Sequence, residues 1–328
     1  MSEVLFVELL GGFGDLLLAL PAVHALARSR PGTRVHVATF DPGGELLARD
    51  PLVASVATTS DHGEGAPRRF VEGLLAHRPY DLAVTTTTYG GIPELLRAHV
   101  PAVADALWRR PPPDELVDER FLRLLAADGL IRPELVRLPP RVALDRAEVD
   151  AGHGLLGDRA PVLVLPDAGM AVKRWPYWAA LVRALGDLDV VTAPGPGSPP
   201  QAPGARVLPP QGLRALAGLA AAVGERGGVV VGADTGPVRL AAAAGARTVG
   251  LFGPTLASRY GQRPADGHLA LQGLPGCEVR RPVAITEQAC WWSGACPLTG
   301  GPPACMVDLS ADEVVAAVRS ALQVPRAA

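Results

Sequence analysis

The chain has 328 residues, 48% of them hydrophobic and 20% charged, which is apolar material for packed cores over the length of about two domains. Its 31 basic and 33 acidic side chains leave a net charge of -2, so there is no basic field to hold nucleic-acid phosphates. High apolar content without long charge blocks excludes disorder as the dominant state, and 37 glycines and 33 prolines without a period exclude a collagen-like chain.

No apolar stretch reaches the roughly 20 residues of a transmembrane helix, and Met1-Ser2-Glu3 has no basic leader character. A cytoplasmic protein is expected, a location compatible with peripheral membrane association. One feature of the composition is local: Lys173 is the sole lysine, the other 30 cations being arginine. A lysine retained against that background points to a role for a compact ammonium that a planar guanidinium does not fill.

Strand signals alternate with helix signals from the N-terminus. Val4 to Glu8 reads as a buried strand, followed by the turn Gly11-Gly12-Phe13-Gly14-Asp15 and an apolar-periodic helix to about Arg28. Strands follow at Arg34–Phe40, Leu52–Thr58 and Asp81–Thr87, with a helix at Arg68–His77. Pro111-Pro112-Pro113 breaks the alternation, a helix is expected near Glu115–Ala127, and Pro139–Asp158 reads as the connection between domains. The pattern then restarts: strands at Val162–Leu165, Val190–Thr192, Gly228–Gly232 and Thr248–Phe252, helices at Trp175–Leu185, Leu213–Val223 and Pro237–Ala244. A loop spans Ala193–Ala205, and Pro176 is suited to the first turn of the helix at Trp175. Ser310–Leu322 closes the chain as a helix with Ser310 and Glu313 spaced for a capping box. Apolar strands separated by helices mean parallel sheets covered on both faces: an α/β chain of two Rossmann-like domains, residues 1–150 and 151–328.

Three strand-to-helix turns carry the chemistry. At the first, Gly11, Gly12 and Gly14 allow a tight turn, and Asp15 is either the helix cap or a carboxylate placed as a general base. The dinucleotide fingerprint wants a third glycine where Leu17 stands, which argues against a nicotinamide cofactor. The second turn, Asp167 to Pro176, sets Lys173 and Arg174 at the carboxyl edge of the second sheet, where a diphosphate would bind. In the third, Asp234 or Thr235 caps a helix whose amides near Thr235, Gly236 and Val238 face phosphate oxygens, with Arg239 one turn in.

Together with Gly14-Asp15-Leu16-Leu17-Leu18-Ala19-Leu20-Pro21-Ala22, Val172-Lys173-Arg174-Trp175-Pro176, Leu240-Ala241-Ala242-Ala243 and Leu251-Phe252-Gly253-Pro254-Thr255, these segments make the chain resemble glycosyltransferase family 9, the lipopolysaccharide heptosyltransferase-like family. The resemblance implies a GT-B fold, two Rossmann-like domains facing across a cleft. It implies inverting, metal-independent transfer of a heptose or related sugar from a nucleotide-diphosphate donor, ADP-linked in the family, to a glycan, lipid-linked or small-molecule acceptor. On that resemblance the catalytic Asp is Asp15, the phosphate-binding lysine is Lys173, and the diphosphate loop is Asp234, Thr235 and Gly236. Arg239 stands where the family commonly has histidine, which puts the particular nucleotide sugar in doubt. The fold also hosts nucleotide-sugar epimerases and hydrolases, and a degenerate member would only bind nucleotide or a partner. Asp187-Leu188-Asp189 is read as a loop before a strand, not as a metal-binding pair.

All four cysteines, Cys277, Cys290, Cys296 and Cys305, lie in one stretch spaced C-x12-C-x5-C-x8-C. Reduced thiols, a structural zinc or iron–sulfur centre, and two disulfides are the alternatives, none of them catalytic. Trp291 and Trp292 in the same stretch read as loop packing.

Overall fold

The structure, a computed structural model, describes residues 2–109, 114–195, 197, 201–280 and 285–323. Pro111-Pro112-Pro113 and part of the 193–205 loop lie outside these residues. The chain divides into two compact units, Met1–Ala143 and Leu144–Ala328.

Unit 1 contains, in order, β1 (Glu3–Glu8), α1 (Phe13–Ser29), β2 (Arg34–Phe40), β3 (Val53–Thr59), α2 (Ala66–His77), β4 (Leu82–Thr85), α3 (Ile92–His99), β5 (Ala102–Ala104) and α4 (Val117–Ala127). Its sheet has the order β3-β2-β1-β4-β5, every pair parallel, with Glu3 opposite Arg34 and Val4 opposite Leu82. The central strand is buried on both faces, which is why Val4 to Val7 show no polar alternation. Leu5, Val7, Phe40, Ile92 and Leu96 build the core beneath it.

Unit 2 contains α5 (Arg146–Leu155), β6 (Pro161–Leu165), α6 (Trp178–Ala184), β7 (Asp189–Thr192), β8 (Arg206–Val207), α7 (Leu213–Glu225), β9 (Val229–Ala233), α8 (Gly236–Ala243), β10 (Arg247–Phe252), α9 (Ala257–Tyr260), β11 (Leu269–Gln272), α10 (Ala289–Ser293), α11 (Ala304–Val307) and α12 (Ala311–Gln323). The sheet order is β11-β10-β9-β6-β7-β8, again parallel throughout. The expected capping box forms on α12: the Ser310 N–H donates to Glu313 Oε2 at 2.9 Å, and the Glu313 N–H to Ser310 Oγ at 3.2 Å.

Two expectations need correction. The segment 139–158 is not merely a connection, because α5 forms inside it under its own capping box, Asp145 with Glu148. The helix belongs to unit 2: Gly152 and Gly218 let α5 and α7 touch backbone to backbone, a Cβ on Gly152 falling 2.6 Å from the Gly218 carbonyl oxygen. A boundary at 150/151 would cut that helix, and the division falls at Ala143/Leu144 instead. The second correction is at α6, which starts at Trp178 behind Tyr177, so Pro176 precedes the helix and does not open it.

Candidate functional site

Strand order reverses once in each sheet, between β1 and β4 in unit 1 and between β6 and β9 in unit 2. Outside the carboxyl ends of the strands at such a reversal, the connections run off to opposite faces and leave a crevice. All three chemistry-bearing turns lie at these two points.

In unit 2, β9 ends at Ala233 and Asp234 follows, 4% exposed. Gly232 is obligatory here, since a Cβ would sit 2.5 Å from Val238 Cγ2 and 2.8 Å from the Leu165 carbonyl oxygen. The single 3-10 turn Ala171–Lys173 after β6 brings Lys173 across, and its Nζ donates to the Asp234 carbonyl oxygen at 2.9 Å and to Asp234 Oδ2 at 3.1 Å. Arg239, from the first turn of α8, donates through Nη2 to Asp234 Oδ1. Burial pushes the Asp234 carboxyl up, but the Arg239 guanidinium and the Lys173 ammonium outweigh it and hold the group below the usual carboxylate range. Asp234 is therefore a buried anion keyed between two cations, not a helix cap. Thr235 takes the N-cap position without a side-chain cap bond, and its buried hydroxyl has no partner among the described residues.

What remains for a ligand is definite. An ammonium has three N–H groups and two of Lys173's are spent on Asp234, leaving one. The opening amides of α8, the Thr235 hydroxyl and the outer part of Arg239 add donors around it, a set suited to the oxygens of a diphosphate. Two aromatic rings bound the cations: Trp291 lies 5.2 Å from Lys173 Nζ and Tyr260 lies 5.9 Å from the Arg239 guanidinium carbon. Arg174 is exposed and its Nε reaches only the Ala168 carbonyl oxygen, at 3.4 Å, so it stands outside this cluster. Asp167, on the same loop, has a buried Oδ1 without a partner among the described residues; burial pushes its carboxyl up while the Gly195 backbone works the other way.

In unit 1, Gly12 is the N-cap of α1 by backbone conformation, with no side-chain cap bond, and Asp15 lies in the first turn. Its carboxylate folds back over Gly11, where a Cβ would lie 2.9 Å from Asp15 Oδ2. The Tyr89 hydroxyl donates to the Leu9 carbonyl oxygen, and Thr87 Oγ1 accepts from the Leu9 N–H at 2.8 Å, so the residues after β4 brace the glycine turn.

Glu8, absent from the sequence-based candidates, completes this end of the sheet. It is 1% exposed, accepts from the Leu10 N–H at 3.0 Å and from Thr39 Oγ1 at 3.3 Å, and is pushed up to about 8 by burial and by the Asp15 carboxylate. The one sequence signal was an acidic residue closing an otherwise apolar strand. A protonated acid beside an ionised carboxylate is an arrangement suited to proton transfer.

Asp187 and Asp189 are each paired with arginine, Asp187 with Arg319 at 2.7 Å and Asp189 with Arg206 at 3.0 Å, in keeping with structural roles. All four cysteines are free thiols, three buried and Cys277 partly so. Burial pushes Cys305 up to about 11.

Residues 108–267 match the family model of glycosyltransferase family 9 (heptosyltransferase), a stretch that includes Lys173 and Asp234 to Arg239. No curated protein matches the chain in sequence. Among solved structures it is similar to the glycosyl transferase family 9 from Veillonella parvula DSM 2008, at 14% identity and TM-score 0.76 over 98% of this chain and 97% of that one. It is also similar to E. coli ADP-heptose LPS heptosyltransferase II (18%, TM-score 0.69, 98% of each chain) and to E. coli heptosyltransferase WaaC with ADP (17%, TM-score 0.66, 98% of this chain and 100% of that one). Just under half of the chain, residues 108–267, thus carries the pattern of glycosyltransferase family 9, and the chain has the GT-B fold of these heptosyltransferases. It is a glycosyltransferase, as its sequence led one to expect.

Proposed function

We propose that this glycosyltransferase moves a heptose or related sugar, with inversion, from an ADP-linked donor to an acceptor hydroxyl in the cytoplasm. The observation that carries the reading is the Lys173–Asp234–Arg239 lock at the β6/β9 reversal, with the unpartnered Thr235 hydroxyl beside it. Lys173, Thr235, Gly236 and Arg239 bind the diphosphate, and Asp234 holds the two cations in place. The two E. coli neighbours, an ADP-heptose LPS heptosyltransferase and a heptosyltransferase with ADP, favour an adenine nucleotide.

Asp15 acts as general base. Its carboxylate takes the acceptor's hydroxyl proton as that oxygen forms a bond to the anomeric carbon, and the carbon–oxygen bond to the diphosphate breaks with its electron pair leaving on the nucleotide. The growing negative charge falls where Lys173 and the α8 amides offer N–H groups, so no catalytic metal is required. The four cysteines are free thiols and take no part in this reaction. The acceptor is a glycan, a lipid-linked sugar or a small molecule bearing a free hydroxyl.

Calorimetric titration with ADP, UDP, GDP and dTDP tests the donor side. Selective ADP binding that collapses in Lys173→Ala is expected, and unchanged affinity in that variant overturns the assignment. For the base, Asp15→Asn is expected to bind ADP normally while transfer falls about 10²–10⁴-fold. Full turnover in that variant overturns the role of Asp15.

A further inference from the structure

Loop packing, the expectation for Trp291 and Trp292, fails for the second of them. Trp292 is 73% exposed, and its indole N–H donates to the Thr286 carbonyl oxygen at 2.5 Å. Trp291 is half-buried, with its ring over Lys173 and the ring centre 5.2 Å from Nζ. Trp108 and Trp175 also give their N–H groups to backbone carbonyl oxygens, whereas that of Trp291 has no hydrogen-bond partner among the described residues.

The ring is held from both sides. Trp291 belongs to α10, between the buried Cys290 and Gly294, whose φ of 67° ends the helix and whose N–H donates to the Cys290 carbonyl oxygen at 3.1 Å. Val172, buried and next to Lys173, lines the same small hollow as Cys290. The turns that carry the ammonium and the indole therefore pack on one another, which fixes the spacing of the two groups. The ammonium alone accounts for the ring lying where it does. It leaves the indole N–H idle.

Asp234 takes two of the three N–H groups of Lys173, so a phosphate oxygen takes the third, at about 2.8 Å from the nitrogen. The group esterified to that phosphate then comes against the indole. In a nucleotide-diphosphate sugar both such groups are sugars, ribose on one phosphate and the transferred sugar on the other, and the base stands one ring further out. A sugar suits this wall. Its C–H face is apolar and slightly positive and meets the negative face of the ring, while a hydroxyl at its rim accepts from the idle N–H. Lys173 is the residue assigned to the charge growing on the departing diphosphate, which makes the neighbour of Trp291 the transferred sugar.

We propose that Trp291 is the wall of the donor-sugar subsite, stacking on the sugar joined to the diphosphate. The subsite rests on the reading of Lys173 and α8 as the diphosphate site, and gives that site a group that senses the sugar and not the nucleotide.

The test is calorimetric titration of the full chain with free and sugar-linked nucleotides in pairs: ADP and ADP-heptose, UDP and UDP-glucose, GDP and GDP-mannose. Trp291→Ala is expected to weaken the sugar-linked form about 10-fold and to leave the free nucleotide within about 2-fold. Trp291→Phe, which keeps an aromatic face, is expected to recover most of the loss, and Trp292→Ala on the same helix to change neither affinity. If Trp291→Ala fails to fold, Trp291→Leu gives the same comparison with the apolar bulk kept and the aromatic face removed. Equal losses for the two forms would make the ring a support for Lys173 and overturn the subsite, as would unchanged affinity for both. Loss of nucleotide binding in Lys173→Ala, with the sugar preference intact in Trp291→Ala, leaves the diphosphate reading standing and removes the subsite alone. A preference that needs Trp291 but goes with another base keeps the subsite and removes adenine. A wild-type chain that binds none of the six overturns both.

Discussion

Glu8, sealed at the carboxyl end of β1, keeps its proton because it is buried and because the negative charge of Asp15 faces it from the first turn of α1. An ordinary glutamate releases that proton near 4.5, and Glu8 holds it up to about 8. Between those two values the folded chain carries a proton that the unfolded chain has lost. Stability from this group is therefore full below about 4.5 and drains away as pH rises toward 8. Glu8→Gln, which keeps an acceptor for Leu10 and a polar contact for Thr39, is expected to flatten that slope. Urea midpoints at pH 5 and pH 8 measure it, and an identical pH dependence in both proteins refutes the assignment.

Gly11 bears on Asp15 directly. A methyl group there meets the free end of a side chain and not the backbone, so Gly11→Ala is expected to change stability by less than about 0.5 kcal/mol. It displaces the Asp15 carboxylate, however, and kcat should fall with nucleotide affinity retained. Unaltered kcat would show that the carboxylate needs no such placement.

Asp234→Ala strands two shielded cations. Lys173 and Arg239 side chains are only 15% and 10% exposed, and removing the single anion between them is expected to cost about 3–5 kcal/mol. Denaturant unfolding gives the value. A loss under about 1 kcal/mol, within the range of an exposed pair, would mean that water reaches the cations freely.

The α5–α7 crossing offers a paired test. A Cβ at Gly218 collides with the Glu148 backbone, so Gly218→Ala should cost about 1–3 kcal/mol by forcing the helices apart. Gly154, also on α5, has open space where its Cβ would go, and Gly154→Ala is expected to be neutral or stabilising. Equal effects at the two sites would exclude close packing as the cause.

Most of the fold was legible because parallel strands buried on both faces announce themselves as short apolar runs. β1, β2, β6, β9 and β10 fall within a residue or so of their expected bounds. Several of the elements overlooked carry little apolar signal: α5 has two buried residues, Val149 and Gly152, and β5 and β11 are half-exposed edge strands, whereas α3 was missed although Ile92, Leu95 and Leu96 are buried. The site was legible in its parts but not in its connections. Lys173 and Asp234 were each candidates for phosphate, yet sequence spacing cannot show that 61 residues apart they bond to each other. Arg174 reads like its neighbour in sequence and diverges from it because the 3-10 turn ends between them. Glu8 was hidden by its place in an apolar strand.

The tie between Lys173 and Asp234 makes the chain its own reporter. With no other lysine present, an amine-reactive reagent meets one side-chain amine in the whole sequence, apart from the terminal amino group. To acylate it, the reagent must catch Nζ while it is released from both Asp234 oxygens. The rate at which that single mass adduct appears therefore counts how often the diphosphate site opens its latch, residue by residue certain and without any engineered label.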